Sequence, residues 1–234
     1  MRKIPNLHKG HYLTYALDSP NSSGKLINID EVENGNACNC FCPACHEPLI
    51  AKNNGEIREH HFAHKSGTEC EHAYESMLIL SAEKMIIELF RQDFFITYNF
   101  LLYCAEYKEC ALKPTHSECH KVQSKSYNLK NYYDSCIVEY QYNSTKRNAL
   151  LKIFSSLNSK LQPIIVILQP YKRKKKTSYS HKTILVEITS KEILNVIKKK
   201  QGFAESDNVH FFNFKNKDPN YNGFWGDKKC PLRR

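Results

Sequence analysis

Soft metal ligands are concentrated in one short segment, "CNCFCPACHEPLIAKNNGEIREHHFAHKSGTEC", which spans residues 38–70 and holds five cysteines. Cys42 and Cys45 form a C-P-A-C turn, which presents two thiolates on one side, as half of a tetrahedral zinc site requires. His61 and His64 are the best second pair, because a separation of three lets two imidazoles converge at a turn or a helix start. We therefore predict a zinc site made of these four residues. Further candidates in the segment are Cys70, Cys40, Cys38 and His60.

Such a site would be structural, since four protein ligands leave no open coordination position for a substrate or a water. It would stabilise a segment that is too short to build a core of its own. The ordinary alternative is a set of buried thiols with histidines on the surface, and the number of cysteines in so short a segment disfavours it.

A second, looser group of thiols and imidazoles lies in "CAEYKECALKPTHSECH", residues 104–120. Its members are Cys104, Cys110, His116, Cys119 and His120. The spacing allows a second metal site, and it fits reduced structural cysteines equally well. Both interpretations stay open.

Basic side chains are in excess, with a net charge of +10 at pH 7. Their clusters at 171–177, 197–200 and 228–234 favour a polyanionic partner such as DNA, although solvated loops also contain such runs. We find no apolar run long enough for a signal peptide or a membrane span, so we expect a cytoplasmic protein with no membrane partner. In that compartment cysteines are thiols or metal ligands more often than disulfides.

The order of predicted elements indicates an α/β or α+β fold. Alternating apolar residues around a Ser-Pro-Asn-Ser-Ser-Gly turn predict a β-hairpin over residues 12–33, and an unbroken apolar stripe predicts a long helix in "EHAYESMLILSAEKMIIELFRQ". A short helix with Ser190 as its N-cap is predicted in "SKEILNVIKKK". Strands are predicted in "FFITYNFLLY", "DSCIVEYQY", "RNALLKIFSSL", "PIIVILQP", "KTILVEIT" and "VHFFNF". We predict a hairpin with the Cys/His segment at 1–70 and a sheet domain at 71–234.

The stretch "CPACHEPLIAKNNGEIREHHFAHKSGTECEHAYESMLILSAEKMI" resembles the front of the competence protein CoiA-like family. Members of that family carry a CPxC, then an HFAH, then a helix that opens with a tyrosine and a glutamate. The stretches "YNLKNYYDSCIVEY", "PIIVIL", "ILVEITSKEIL" and "FFNFK" resemble the rest of the family. The resemblance implies a bacterial protein with a zinc-bearing N-terminal segment and a PD-(D/E)XK nuclease-like domain. That domain is a restriction-endonuclease-like mixed sheet flanked by helices, and its chemistry is metal-dependent cleavage of a phosphodiester.

The same resemblance places the catalytic groups of the nuclease, and most of them are replaced in this sequence. Glu75 retains the glutamate of the first helix, whereas the histidine of that helix is replaced by Ile79. The two strand acids fall at Ala149 and Ile167. Because Mg²⁺ requires hard anionic oxygens, we predict a zinc-containing DNA-binding protein with a degenerate active site.

Two alternatives remain. An active nuclease would need a rearranged site in which Glu75, Glu187 and Asp134 converge to hold Mg²⁺ or Mn²⁺. The ordinary explanation for Glu187, Asp134 and Glu139 is a strand carboxylate that faces solvent or pairs with a basic side chain. A zinc-stabilised protein-interaction module would instead have its basic residues scattered evenly, with no continuous groove.

DNA contacts are predicted at basic side chains near the former active-site face and in the longest basic run. These residues are Arg147, Lys152, Lys172, Arg173, Lys174, Lys175 and Lys176. They would touch phosphates and therefore give no sequence specificity. We expect no small-molecule substrate, and a protein partner is a further hypothesis.

Overall fold

A computed structural model describes residues 12–21, 24–57, 59–68, 70–103, 120–140, 148–173 and 178–214, with the backbone alone at 100–103, 120–123 and 140. Its strands and helices within these ranges are, in chain order, β1 (Tyr15–Leu17), β2 (Leu26–Asn28), β3 (Gly35–Phe41), β4 (Pro48–Lys52), β5 (His61–His64), α1 (Ala73–Arg91), β6 (Phe95–Tyr103), β7 (His120–Asn128), β8 (Ser135–Tyr140), β9 (Ala149–Phe154), β10 (Ile164–Gln169), β11 (Lys182–Glu187), α2 (Lys191–Lys200), β12 (Gly202–Ala204) and β13 (Val209–Phe212). The predicted mixed α+β class with an N-terminal hairpin is confirmed.

The first sheet, which we call the N-terminal sheet, has the strand order β2-β1-β3-β4-β5. Its β1–β2 pair is the predicted hairpin, with Ala16 opposite Ile27. Strands β3 to β5 lie in the segment where the sequence predicted only ligand-bearing turns. Phe62 of β5 donates its backbone N–H to the carbonyl of Leu13 at 2.7 Å, so the sheet curls back towards its own start.

Helix α1 packs between the N-terminal sheet and the sheet that contains β8, β9 and β10. Met77, Leu78, Ile79 and Leu80 are all buried, which requires covering groups on more than one side of the helix. On one side the backbone N–H of Thr14 lies 3.3 Å from the Sδ of Met77. On the other side α1 contacts β8, β9 and β10. One connected apolar core therefore extends across both sheets, and the domain boundary at residue 70 stays a prediction.

The second sheet, which we call the C-terminal sheet, has the order β13-β11-β10-β9-β8. Strands β10 and β11 are parallel, and the other neighbours are antiparallel. The side chains that alternate towards α1 include Leu151, Val166 and Ile184, all fully buried in the main core. We call this the α1 face. Leu185 and Glu187 belong to the opposite face, where Lys172 and Arg173 of the β10–β11 connection contact Glu187.

A smaller sheet with the order β12-β6-β7 joins the ends of the two helices. Gly202 is required there, because its φ is +152° and a Cβ at this position would overlap the carbonyl oxygen of Phe95. Strand β7, "HKVQSKSYN", was not predicted, because nearly all of its residues are polar and it shows no alternation of apolar and polar side chains. The predicted N-cap Ser190 of α2 is confirmed. Among the described residues, no helix is long and apolar enough to cross a membrane.

Candidate metal centre

Antiparallel pairing in the N-terminal sheet brings distant ligands to one end of it. Cys42 and Cys45 lie on the turn that follows β3 and leads into β4. His64 is the last residue of β5 and pairs across the ladder with Leu49 near the start of β4. Cys70 precedes α1, and its carbonyl accepts the backbone N–H of Ala73 at 3.1 Å. The turn, the strand end and the helix start therefore converge.

The four side chains Cys42, Cys45, His64 and Cys70 have their ligand atoms within 4.8 Å of one another. Sγ of Cys45 lies 3.2 Å from Nε2 of His64. A tetrahedral zinc with Zn–S bonds of about 2.3 Å separates its ligand atoms by roughly 3.8 Å, so only small shifts are needed to close the site. Three sulfur atoms and one imidazole nitrogen form a donor set that suits zinc.

Backbone geometry fixes the C-P-A-C turn. The N–H of Ala44 points at the Sγ of Cys42 at 3.4 Å, and the N–H of His46 donates to the carbonyl of Cys42 at 3.0 Å. His46 has a φ of 61°, a left-handed conformation that lets the chain reverse directly after Cys45. These backbone contacts thus fix the shape of the turn that carries both thiols.

Burial disfavours charge on the thiols of this cluster. Removal from water raises the pKa of Cys42 to about 12, and burial also raises the pKa of Cys70. A buried thiolate needs a nearby positive charge, and a divalent cation bound by these sulfurs would supply it. The four residues could therefore hold a metal ion such as zinc.

The structure differs from the predicted ligand set at one position, because Cys70 and not His61 completes the cluster. The sequence HFAH forms β5 instead of a turn or a helix start. Side chains three apart in a strand point to opposite faces, so His64 faces the cluster and His61 faces away. The Nδ1 of His61 lies 2.9 Å from the carbonyl oxygen of Glu59, and its ring packs 5.0 Å from the ring of Tyr12. Strand alternation through Phe62 was the signal that could have revealed this.

The other candidate ligands lie elsewhere. Sγ of Cys40 donates to the carbonyl of Cys38 at 3.1 Å, and neither residue belongs to the cluster. The Nδ1 of His60 lies 2.7 Å from Asp30 Oδ1. None of the six described cysteines is in a disulfide. Cys104, Cys110, His116 and Cys119 lie outside the described residues, so a second metal site stays a prediction.

The segment that holds the cluster is similar to a known protein family. Residues 26–73 match the family model described as the N-terminal domain of competence protein CoiA. The N-terminal part of this chain is CoiA-like. All four clustered ligands lie inside the matched residues. No curated protein and no solved structure matches the chain.

The carboxylates proposed for a rearranged nuclease site lie apart in the structure. Glu75, in the first turn of α1, lies 3.5 Å from the Nδ1 of His72. Glu187 belongs to the face of the C-terminal sheet opposite α1, where its Oε1 accepts the backbone N–H of Arg173 at 2.8 Å. Asp134 accepts the backbone N–H of Ser156 with both oxygens, at 3.1 and 3.0 Å. Within the described ranges, the Cys/His cluster is the only group of three or more potential ligands.

The two positions assigned to the lost strand acids also cannot both be ligand positions. In the β9–β10 ladder Ala149 pairs with Leu168, and Ile167 pairs with Leu150. Ala149 therefore points to the α1 face and Ile167 to the opposite face. Two carboxylates that share a metal must lie on one face, so acids at these two positions could not hold one ion together, and the assignment of the strand acids stays a prediction.

Three of the predicted DNA contacts are described. Lys152 lies on the face opposite α1, with its Nζ 3.8 Å from Glu139 Oε1. Lys172 and Arg173 follow β10 and approach Glu187 on that same face. Arg147, Lys174, Lys175 and Lys176 lie outside the described residues.

Proposed function

We propose that this chain is a zinc-containing, CoiA-like protein that binds DNA and does not cleave it unaided. One contrast carries the proposal. The soft ligands converge into a four-membered cluster, whereas the described carboxylates form no group of three or more potential ligands.

Zinc in the N-terminal sheet would be structural. The cluster supplies four protein ligands, which fill a tetrahedral coordination sphere and leave none for substrate. Its contribution would be to join the β3–β4 turn, the end of β5 and the start of α1. The zinc would supply no step of a hydrolysis.

A catalytic Mg²⁺ would lack its ligands. Mg²⁺ is held by carboxylates and phosphate oxygens in near-octahedral geometry. Glu187 directs one oxygen at the Arg173 amide and the other towards the ammonium of Lys172, 3.8 Å away. Neighbouring donors therefore already hold this carboxylate, and Glu75 lies on a helix that packs against the other face of the sheet.

DNA is the partner that the charge favours. The chain has 34 lysines and arginines against 24 acids, and a net positive surface attracts phosphates over a Debye length. Lys152, Lys172 and Arg173 share the face opposite α1, which supports a single binding side. The proposal also includes DNA contacts by residues 147 and 174–176. It further includes a cytoplasmic location and a protein partner.

The test combines zinc content, DNA binding and cleavage on one preparation. Full-length protein is assayed for metal by elemental analysis, then incubated with supercoiled and single-stranded DNA in Mg²⁺ or Mn²⁺. Glu75→Gln and Glu187→Gln are run alongside as matched, neutral variants. We expect one zinc per chain, salt-sensitive DNA binding and no cleavage by any of the three proteins.

Cleavage by the wild type that both substitutions abolish would overturn the proposal in favour of a rearranged nuclease. Zinc without DNA binding at low salt would favour the protein-interaction module. A chain that folds without zinc would contradict the structural role of the cluster.

A further inference from the structure

A buried carboxylate at the end of β11 lies against three donors on the face opposite α1, namely the ammonium of Lys172, the backbone N–H of Arg173 and the imidazole of His210. Glu187 is 2% exposed, and its Oε2 lies 3.8 Å from the Nζ of Lys172. Its Oε1 lies 3.6 Å from the Nε2 of His210 and accepts the backbone N–H of Arg173 at 2.8 Å. We call Lys172, Arg173 and His210 the cationic corner.

Lys172 and Arg173 each make a second contact with their side chains. The Nζ of Lys172 donates to the carbonyl of Asp207 at 3.1 Å, and the Lys172 side chain remains 58% exposed. The guanidinium of Arg173 lies 5.3 Å from the ring centroid of Phe212. A stacked guanidinium keeps its N–H edge available for an anion.

His210 completes the corner from the neighbouring strand. It lies on β13, pairs with Leu185 of β11 and is 26% exposed. Three donors from the β10–β11 connection and from β13 thus surround one carboxylate that is itself withdrawn from solvent. Because the fold already orders these side chains, an anion that binds them would cost little further ordering.

We infer that the cationic corner is a contact site for backbone phosphates of a nucleic acid, and that Glu187 is its buried anchor and not a metal ligand. This inference rests on the proposed function and names where the DNA backbone binds. Two permanently charged side chains outweigh the single buried carboxylate, so the outer surface of the corner is positive. Lysine supplies a point charge and arginine a planar fork, and both suit phosphate oxygens.

The test is a salt titration of DNA binding with a matched pair of double variants. Lys172→Ala/Arg173→Ala removes two charges from the corner, and Lys52→Ala/Lys160→Ala removes two exposed charges that lie outside the basic clusters. Zinc-loaded full-length proteins are compared by fluorescence anisotropy on a duplex of about 25 base pairs, from about 50 to about 200 mM salt.

The corner variant should bind about tenfold more weakly at the lowest salt, and its plot of log K against log salt should be shallower by about two. The control pair should change the affinity by no more than about twofold. Equal losses of DNA affinity in the two variants would overturn the assignment of the corner as the phosphate contact site. The proposed DNA binding would then rest on diffuse positive charge. A wild type that binds no DNA would overturn the proposed function itself. Far-ultraviolet circular dichroism confirms that each variant is folded.

Glu187→Gln tests the anchor separately. A glutamine presents one oxygen and one NH₂ group, so at least one of the surrounding donors would face another donor. We expect weaker DNA binding even though a negative charge has been removed. Tighter binding would show that Glu187 acts only as a repelling charge, and would overturn its role as an anchor.

Discussion

In the N-terminal sheet, the turn after β3, the end of β5 and the residue before α1 bring four soft ligands within 4.8 Å of one another. In the C-terminal sheet, the carboxylates of Asp134, Glu139 and Glu187 each lie against a different local donor. Ligands on turns and strand ends can converge from several elements. Ligands inside strands converge only when register and face both agree, and here they do not.

The two regions therefore use charged and metal-binding side chains differently. In the N-terminal sheet burial raises the pKa of Cys42 and Cys70, so a bound cation would be needed to hold them as thiolates. In the C-terminal sheet the acids anchor loops and basic side chains. The predictions below separate the two regions, beginning with the largest expected effect.

Loss of a true zinc ligand should have the largest effect. We expect His64→Gln to lower zinc affinity by more than the roughly 10- to 100-fold that loss of an outer hydrogen-bond partner costs. Structural zinc contributes on the order of 10 kcal/mol of apparent binding energy, so the melting temperature should fall steeply as well. Competition with a chromophoric chelator measures the affinity. His61→Gln is the matched control and should retain zinc, since His61 faces away from the cluster; zinc loss in this control would contradict the ligand set.

A cavity in the C-terminal sheet should weaken the fold without removing the metal. Leu151 is fully buried beneath α1, so Leu151→Ala should lower the free energy of unfolding by about 2 to 5 kcal/mol. Ile137 is 44% exposed on the opposite face, and Ile137→Ala should cost under about 1 kcal/mol. Urea denaturation gives both values, and zinc content should be unchanged in both. Equal losses of unfolding free energy in the two variants would contradict the assignment of Leu151 to the buried face and of Ile137 to the opposite, exposed face.

The small sheet that joins the helices should tolerate no side chain at residue 202. In Gly202→Ala the new methyl would meet the carbonyl of Phe95 at a positive φ, and the overlap should cost about 2 to 3 kcal/mol. Gly55→Ala is the matched control, because nothing lies within 4 Å of the position a Cβ would take there. Thermal unfolding compares the two. A neutral Gly202→Ala would contradict the parallel pairing of β12 with β6.

The smallest effect is expected from the acid that ties β8 to the loop after β9. Hydrogen bonds from Ser135 and from the amide of Ser156 lower the pKa of Asp134 to about 2, below its ordinary 3.8. A depressed pKa in the folded state means that the contact stabilises the fold above pH 3.8 and is lost as the pH falls towards 2. Carboxyl carbon chemical shifts followed by NMR measure this titration. An ordinary value would contradict the loop anchor, and Asp134→Asn should remove the pH dependence.

Much of the fold follows from sequence pattern, and the parts that do not have physical reasons. The stripe of α1 and the apolar runs of β9, β10 and β11 are long and clearly periodic, and the structure contains all four elements. Strand β7 alternates polar residues, and β12 has three residues, so neither has a hydrophobic period to recognise. Cys70 was found only as a spare candidate, because its place beside Cys42 depends on how β5 leads into α1.

The metal ligands, too, could be predicted from the sequence only where the signal is local. The C-P-A-C turn is a local signal, and both of its cysteines lie in the cluster. The choice between His61 and Cys70 depended on whether HFAH is a turn or a strand, which is set by pairing with β4. Whether Ala149 and Ile167 share a face depends on the register between β9 and β10, and register is a property of the folded sheet.

Zinc K-edge X-ray absorption on the purified full-length protein would test the central claim most directly, because it counts the sulfur and nitrogen atoms bound to the metal. The cluster predicts three sulfur atoms at about 2.3 Å and one imidazole nitrogen at about 2.0 Å. Two sulfur atoms and two nitrogen atoms would contradict the account, since they would place a second histidine, and not Cys70, on the metal.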